Sequence, residues 1–211
     1  MIFIFIQKIV VGANQSNCYL VGEKEGKIAV IDPGAEGQKI LKEVEAVEGE
    51  ISYIINTHGH FDHIGANKFI KENSKGELMI HWKEEEYLFN PEINLSRYTE
   101  NEVISPPADS LLEDNNTLEI GGYIFQIFLT PGHSPGGISL YCKEEDVIFS
   151  GDTIFANGIG RADLPGSNKS VLERSIESKL LKLGDETVVY PGHGDKTTIR
   201  QFKENIWSSY H

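Results

Sequence analysis

The stretch Thr57-His58-Gly59-His60-Phe61-Asp62-His63-Ile64-Gly65 decides the reading of this chain. Three imidazoles and a carboxylate lie between positions 58 and 63. They come directly after Ile51-Ser52-Tyr53-Ile54-Ile55-Asn56, an apolar run that predicts a buried strand. Side chains alternate along extended backbone, so His58 and His60 face the same way. Asp62 and His63 stand at the entry to a helix expected over 66–72. Nitrogen and oxygen donors crowded in this way suit zinc, iron or manganese far better than a hydrophobic core.

Outward from this cluster, the remaining donors sit in Thr130-Pro131-Gly132-His133, Ser150-Gly151-Asp152-Thr153 and Tyr190-Pro191-Gly192-His193-Gly194. Each follows a predicted strand: His58 after 51–56, His133 after 123–129, Asp152 after 147–149 and His193 after 186–190. Strand ends on one sheet edge hold side chains more rigidly than loop tips do. The Pro-Gly turns let the next imidazole project from that edge. Glycines beside His58, His133, Asp152 and His193 are expected to leave room for a metal or substrate near the backbone.

Two sets of ligands follow from this arrangement. His58, His60 and His133 would surround one dication, and Asp62, His63 and His193 a second, with Asp152 bridging them. The set contains no thiolate, which excludes a structural cysteine-type zinc site. Two dications that share a water bring its pKa from about 15.7 towards 7. Such a water attacks a carbonyl carbon with no serine or cysteine nucleophile, and Asp62 would orient it as well as hold a metal.

Composition sets the outer bounds. The 211 residues suffice for one domain spanning 1–211, and 39% hydrophobic with 24% charged residues is ordinary for a soluble globular protein. A net charge of −13 argues against a nucleic-acid partner and matches anionic membranes poorly. The start, Met1-Ile2-Phe3-Ile4-Phe5-Ile6-Gln7-Lys8, has no basic leader and reads as a first strand over 2–10; no stretch approaches transmembrane length. A cytoplasmic location is expected. Cys18 and Cys142 lie in apolar strand-like runs and read as buried thiols. Further strands are expected at 17–22, 27–31 and 138–142, and helices at 36–47, at 169–183 and from 198. This mixture suggests two packed sheets flanked by helices and does not follow strict βαβα alternation. Segment 84–107 opens as an acidic helix and turns irregular; it reads either as a lid over the site or as a surface excursion.

His58-Gly59-His60-Phe61-Asp62-His63 resembles the H-x-H-x-D-H motif of the metallo-β-lactamase superfamily. His133, Asp152 and His193 fall in the order and approximate spacing of that family's remaining ligands. Asp32 in Ile31-Asp32-Pro33-Gly34 matches an acidic residue at a strand end near the site. Within the superfamily the chain is similar to the hydroxyacylglutathione hydrolase (glyoxalase II) group. Gly151-Asp152-Thr153-Ile154-Phe155, and the run from Gly160 through Arg161 and Asp163 to Gly166, resemble its short bacterial members. The resemblance implies an α/β (α+β) fold, a four-layer αββα sandwich with the site along one edge. It also implies a metal-dependent hydrolase acting on a small-molecule thioester through two divalent ions, zinc foremost and iron or manganese next. One departure touches glutathione recognition: full-length members carry a helical C-terminal region that helps hold glutathione, whereas only residues 194–211 follow His193 here. The alternative is a mononuclear iron oxygenase similar to the persulfide dioxygenases, with His58, His133 and Asp152 as its metal face.

Some residues carry two readings. Asp32 either accepts a ring N–H from a ligand histidine, fixing its tautomer, or is a turn residue before Pro33-Gly34. Arg161 either meets an anionic group of the substrate or pairs with Asp163 to shape the loop. Gly132-His133-Ser134-Pro135-Gly136 matches a nucleophile elbow in letters only, because Pro135 lacks the N–H that mechanism needs. His81 has no ligand neighbours and reads as structural or surface. His211, at the end of the sequence, is assigned no role. A lactonase or phosphodiesterase is chemically feasible on the same metal pair. A flavodiiron carrier would need a glutamate where Gly59-His60 stands.

Overall fold

The computed structural model describes residues 4–210, so expected strand positions 2 and 3 and the terminal His211 lie outside the described residues. Strands β1 (Phe5–Val11), β2 (Ser16–Gly22), β3 (Lys27–Ile31), β4 (Glu50–Ile55), β5 (Glu77–His81) and β6 (Ser110–Leu112) form one sheet in that order. Its first three strands run antiparallel and its later pairs parallel. Parallel neighbours need crossovers. Here these carry α1 (Gly37–Ala46), then α2 (Phe61–Ile64) and α3 (Asn67–Glu72).

The second sheet begins with β7 (Thr117–Ile120), β8 (Tyr123–Leu129), β9 (Ile138–Cys142) and β10 (Val147–Gly151), all antiparallel. A small hairpin, β11 (Ile154–Phe155) with β12 (Gly158–Ile159), precedes α4 (Lys169–Ser178). The chain then returns as β13 (Val188–Pro191), parallel to β10, and closes with β14 (Thr197–Thr198) and α5 (Ile199–Asn205).

Strand alternation produces the layers. Tyr19, Val21, Ala29 and Ile31 point between the sheets, where they meet Phe125, Ile127, Leu140 and Phe149. Their neighbours Cys18, Leu20, Ile28 and Val30 point the other way, onto Ile40 and Val44 of α1 and Ile70 of α3. On the far side, Ile148 and Val189 pack on Leu172 and Ile176 of α4 and on Ile199 and Phe202 of α5. The order is helix, sheet, sheet, helix, the αββα sandwich expected. Each large apolar side chain removed from water in these layers contributes about 1.5–3 kcal/mol before entropy is counted. The two helices on the second sheet's outer face have capped starts: Asn168 Oδ1 accepts from Val171 N at 3.1 Å, and Thr198 Oγ1 from Gln201 N at 3.2 Å.

Two expectations need correction. The helix expected over 169–183 stops at Ser178 and tightens into a 3-10 turn over Leu180–Lys182. The segment expected to open as an acidic helix forms a 3-10 helix over Trp82–Leu88 instead, with Glu84 fully buried. Leu88 and Val103 of that segment pack with Ile64 and Ile80, so it is anchored in the core and is not a loose excursion. His81, at the end of β5, is buried and its Nδ1 accepts from Lys83 N at 3.3 Å. Cys18 and Cys142 are free and buried. Among the described residues no helix is long and apolar enough to cross a membrane.

Candidate metal centre

The loops after β4, β8, β10 and β13 open on the same edge of the sandwich. The first continues into α2, which brings His58, His60, Asp62 and His63 together. The others bring His133, Asp152 and His193. Backbone bonds tie these loops together. Ile138 N donates to Thr57 O at 2.9 Å across the two sheets, and Gly192 N to Gly151 O at 2.8 Å. The start of β2 joins them through Asn17 N to Gly192 O at 2.7 Å.

The nitrogens of His58, His60 and His133 lie within 4.8 Å of one another. His60 Nδ1 is 3.0 Å from His133 Nε2, and the His58 ring stands 4.7 and 4.9 Å from those of His60 and His133. His133 Nδ1 donates to the carbonyl of Arg161 at 2.8 Å, which leaves its Nε2 lone pair turned inward. Thr57 Oγ1 donates to Asp32 Oδ2 at 2.6 Å and therefore accepts from His58 Nδ1 at 3.1 Å, so the His58 Nε2 lone pair is free. The buried Nε2 atoms of His58 and His60 have no hydrogen-bond partner. Burial, then the neighbouring imidazoles, hold the His58 ring well below the usual histidine range and His60 down to about 3. Both are neutral at physiological pH, the form that binds a metal.

Asp62, His63 and His193 form a second group within the same 4.8 Å limit. His63 Nδ1 donates to Asp32 Oδ2 at 3.0 Å and His193 Nδ1 to Asn14 O at 3.2 Å, which turns their Nε2 atoms towards each other, 3.3 Å apart. Asp62 Oδ2 accepts from Asn14 Nδ2 at 3.1 Å and Ser16 Oγ at 3.2 Å. Burial opposes its charge, yet His63 and the bonds from His193 and Asn14 hold the Asp62 carboxyl well below the ordinary range. Burial likewise pulls His63 down, but Asp152, Asp62 and Asp32 lift it to about 10. Three carboxylates around one imidazole create a local demand for positive charge that a bound cation meets as well as a proton does.

Asp152 lies between the groups. Its Oδ1 is 3.6 Å from His63 Nε2, and its Oδ2 is 3.6 Å from His133 Nε2 and 3.5 Å from His193 Nε2. A third grouping, Asp32 with His58 and His63, is equally compact. The Asp32 oxygens, however, already accept from Thr57 N at 2.7 Å, Thr57 Oγ1 and His63. Asp32 thus stands behind the histidines and fixes their tautomers, His63 directly and His58 through Thr57. In the first group the unpartnered buried nitrogens of neutral His58 and His60 fit a divalent cation, and in the second the carboxylates around His63, with the unpartnered Asp152 Oδ1 between the groups, fit another.

The room expected beside the glycines is filled by protein at Gly59, Gly132, Gly151 and Gly192, and is open at Gly194, which lines the cleft. A Cβ on Gly59 would meet Tyr87 Cβ at 2.2 Å, one on Gly132 the backbone of Leu172, and one on Gly151 the side chain of Thr57. At Gly192 it would meet Asp152 Oδ1 at 2.1 Å and His63 Cε1 at 2.9 Å. The glycines let loops pack this closely; the open space lies in front of the donors. There a cleft of about 520 Å³ is walled by Phe61, Leu95, Phe155, Ile159 and Leu164, with Asn14 and Asn157 as polar groups. Leu95 brings segment 84–107 to this wall. Arg161 lines the cleft, but its Nε and an Nη fork onto Asp163 at 3.0 Å each, with both side chains exposed. Asn14, Ser16, Thr57 and Glu84 were not singled out from sequence, because polar loop residues carry no mark of the partner that folding brings them.

The metallo-beta-lactamase superfamily profile matches residues 11–193. The hydroxyacylglutathione hydrolase GloC of Haemophilus influenzae is 35% identical over 95% of both chains. Among solved structures, the BLEG-1 B3 metallo-beta-lactamase superposes with a TM-score of 0.91 at 37% identity, covering 95% of this chain and 98% of its own. TTHA1623, solved in a di-iron-bound form, superposes with a TM-score of 0.86 at 33% identity over the same shares.

Proposed function

This chain belongs to the metallo-beta-lactamase superfamily, and we propose that it is a dinuclear metal-dependent hydrolase of thioesters, of the hydroxyacylglutathione kind. The observation that carries the reading is the pair of donor groups sharing Asp152 at the floor of one cleft. His58, His60 and His133 would hold one ion and Asp62, His63 and His193 the other, with Asp152 facing both. Imidazole and carboxylate without thiolate favour zinc, with iron and manganese next. Divalent ions bound here supply Lewis acidity towards a carbonyl and make hydroxide available at neutral pH.

The chain's own residues supply the rest. Asp62, kept ionised by Asn14, Ser16 and its histidine neighbours, accepts a hydrogen bond from the attacking water and so orients it. Phe61, Leu95, Phe155, Ile159 and Leu164 pack against the apolar stem of the substrate and keep bulk water from it. Asn14 and Asn157 offer amides to its polar groups. Arg161 meets an anionic group only by exchanging Asp163 for it. The partner is a small molecule; a charge of −13 disfavours nucleic acid and anionic membrane.

The test is metal analysis of anaerobically purified protein, combined with thiol release from a hydroxyacylglutathione, cleavage of a chromogenic β-lactam, and oxygen uptake with a persulfide. Thiol release that needs two metal equivalents, and stops on chelation, is the expected result. Oxygen uptake with iron and no thiol release would establish the oxygenase reading instead, and β-lactam cleavage alone would redirect the substrate class.

A further inference from the structure

Glu84 is a fully buried carboxylate in the 3-10 helix behind the histidine loops. Its Oε2 accepts from Gly59 N at 3.0 Å and its Oε1 from Gly136 N at 2.6 Å. Gly59 stands between His58 and His60, and Gly136 lies just past His133. One carboxylate therefore ties together the two chain segments that carry the three imidazoles of the first donor group. The approach is close on both sides. A Cβ on Gly59 would lie 3.2 Å from Glu84 Oε2, and one on Gly136 would lie 2.9 Å from Glu84 Cγ. A buried carboxylate carries a large desolvation penalty that an apolar or amide side chain of similar size avoids. Its presence here points to a use for two strong acceptors on one rigid group.

We propose that Glu84 is a positioning residue for the first metal site, setting the spacing of His58, His60 and His133 through the peptide N–H groups of Gly59 and Gly136. The inference rests on the reading that those three histidines hold a divalent ion. Asp62, His63 and His193 are held instead by Asn14, Ser16 and Asp32, so the second site is affected only weakly.

Zinc titration of the wild type, Glu84→Gln and Glu84→Asp against a chromophoric chelator tests this, with cobalt absorption spectra distinguishing the two sites. Glutamine keeps the shape but puts an N–H against one of the two peptide donors, and aspartate is one methylene too short to reach both. Each variant should weaken one zinc equivalent by about 10–100-fold and alter that equivalent's cobalt spectrum, while the other stays within about threefold of wild type. Unchanged affinity for both equivalents, or an equal loss at both alongside a lower Tm, would overturn the proposal and make Glu84 a clamp for the fold alone. Failure of both variants to fold would overturn it in the same way. A wild type that binds no zinc, iron or manganese would overturn the metal reading itself.

Discussion

Asp32, whose own backbone is left-handed with φ of 51°, receives the Nδ1–H of His63 on its Oδ2 at 3.0 Å. Aspartate tolerates that conformation better than most residues, at a cost of order 1 kcal/mol. The twist at the end of β3 turns the carboxylate under the histidine cluster, where it also takes both Thr57 donors. A single acidic side chain thereby sets the tautomers of two histidines that belong to different donor groups.

Asp32→Asn should weaken zinc at the second site by about 10–100-fold. The amide has one acceptor for three donors, and its N–H favours the His63 tautomer that carries a proton on Nε2, where the metal would sit. Chelator competition reads the affinity, and an Asp32→Asn protein with wild-type zinc binding would reduce Asp32 to a turn residue.

His60→Ala removes a donor that faces His133 at 3.0 Å and has a second, unpartnered nitrogen. The expected outcome is the loss of one zinc equivalent and at least a 100-fold fall in thioester hydrolysis, roughly what removing a principal electrostatic group costs an enzyme. Full metal occupancy with near-normal turnover would refute the assignment of this histidine.

The legible parts of the sequence were those in which residue type and position act alone. The expected strands at 27–31, 123–129 and 138–142 match β3, β8 and β9, because each is an apolar run closed by turn residues. The structure brings the histidines and aspartates singled out from sequence to one place because strand ends deliver them. Not legible were β6 and β7, short strands that owe their form to pairing with neighbours, while β5, an apolar run of the same length as β3, was legible and is missing from the expected strands. Glu84-Glu85-Glu86 reads as a solvated helix face, and nothing local reveals that the first of them turns inward to two peptide N–H groups. The carbonyl of Arg161 orients His133, and a backbone carbonyl leaves no trace in the residue alphabet.

Gly192→Ala forces a Cβ to within 2.1 Å of Asp152 Oδ1 on backbone pinned by bonds to Gly151 O and from Asn17 N. The carboxylate must move, so zinc binding and turnover should both fall by about 100-fold, the cost that a displacement of about 1 Å at a catalytic group can carry. Gly158→Ala, in the hairpin beside the cleft, has nothing within 4 Å of the new Cβ and no left-handed φ. It should retain activity within about twofold. Similar behaviour of the two variants in paired metal-content and rate measurements would show that space beside Asp152 is not limiting.

Glu84 also makes stability depend on pH in a predictable direction. Burial pushes its carboxyl up to about 7 from an ordinary 4.5, and the hydrogen bonds it accepts offset only part of the rise. Between those values the folded protein holds a proton that the unfolded chain has released, so stability falls as pH rises through the window. The penalty is fully present above about pH 7, where the buried group must be charged. Glu84→Gln has no such ionisation. From about pH 5 to about pH 8 the stability of metal-free wild type relative to that variant should therefore drop by about 2 kcal/mol. Denaturant unfolding in the presence of chelator measures the difference, and histidine titration common to both proteins cancels in it. If the two stability curves run parallel across the window, Glu84 is ionised at ordinary pH in folded and unfolded states alike, and the desolvation argument for its burial is wrong.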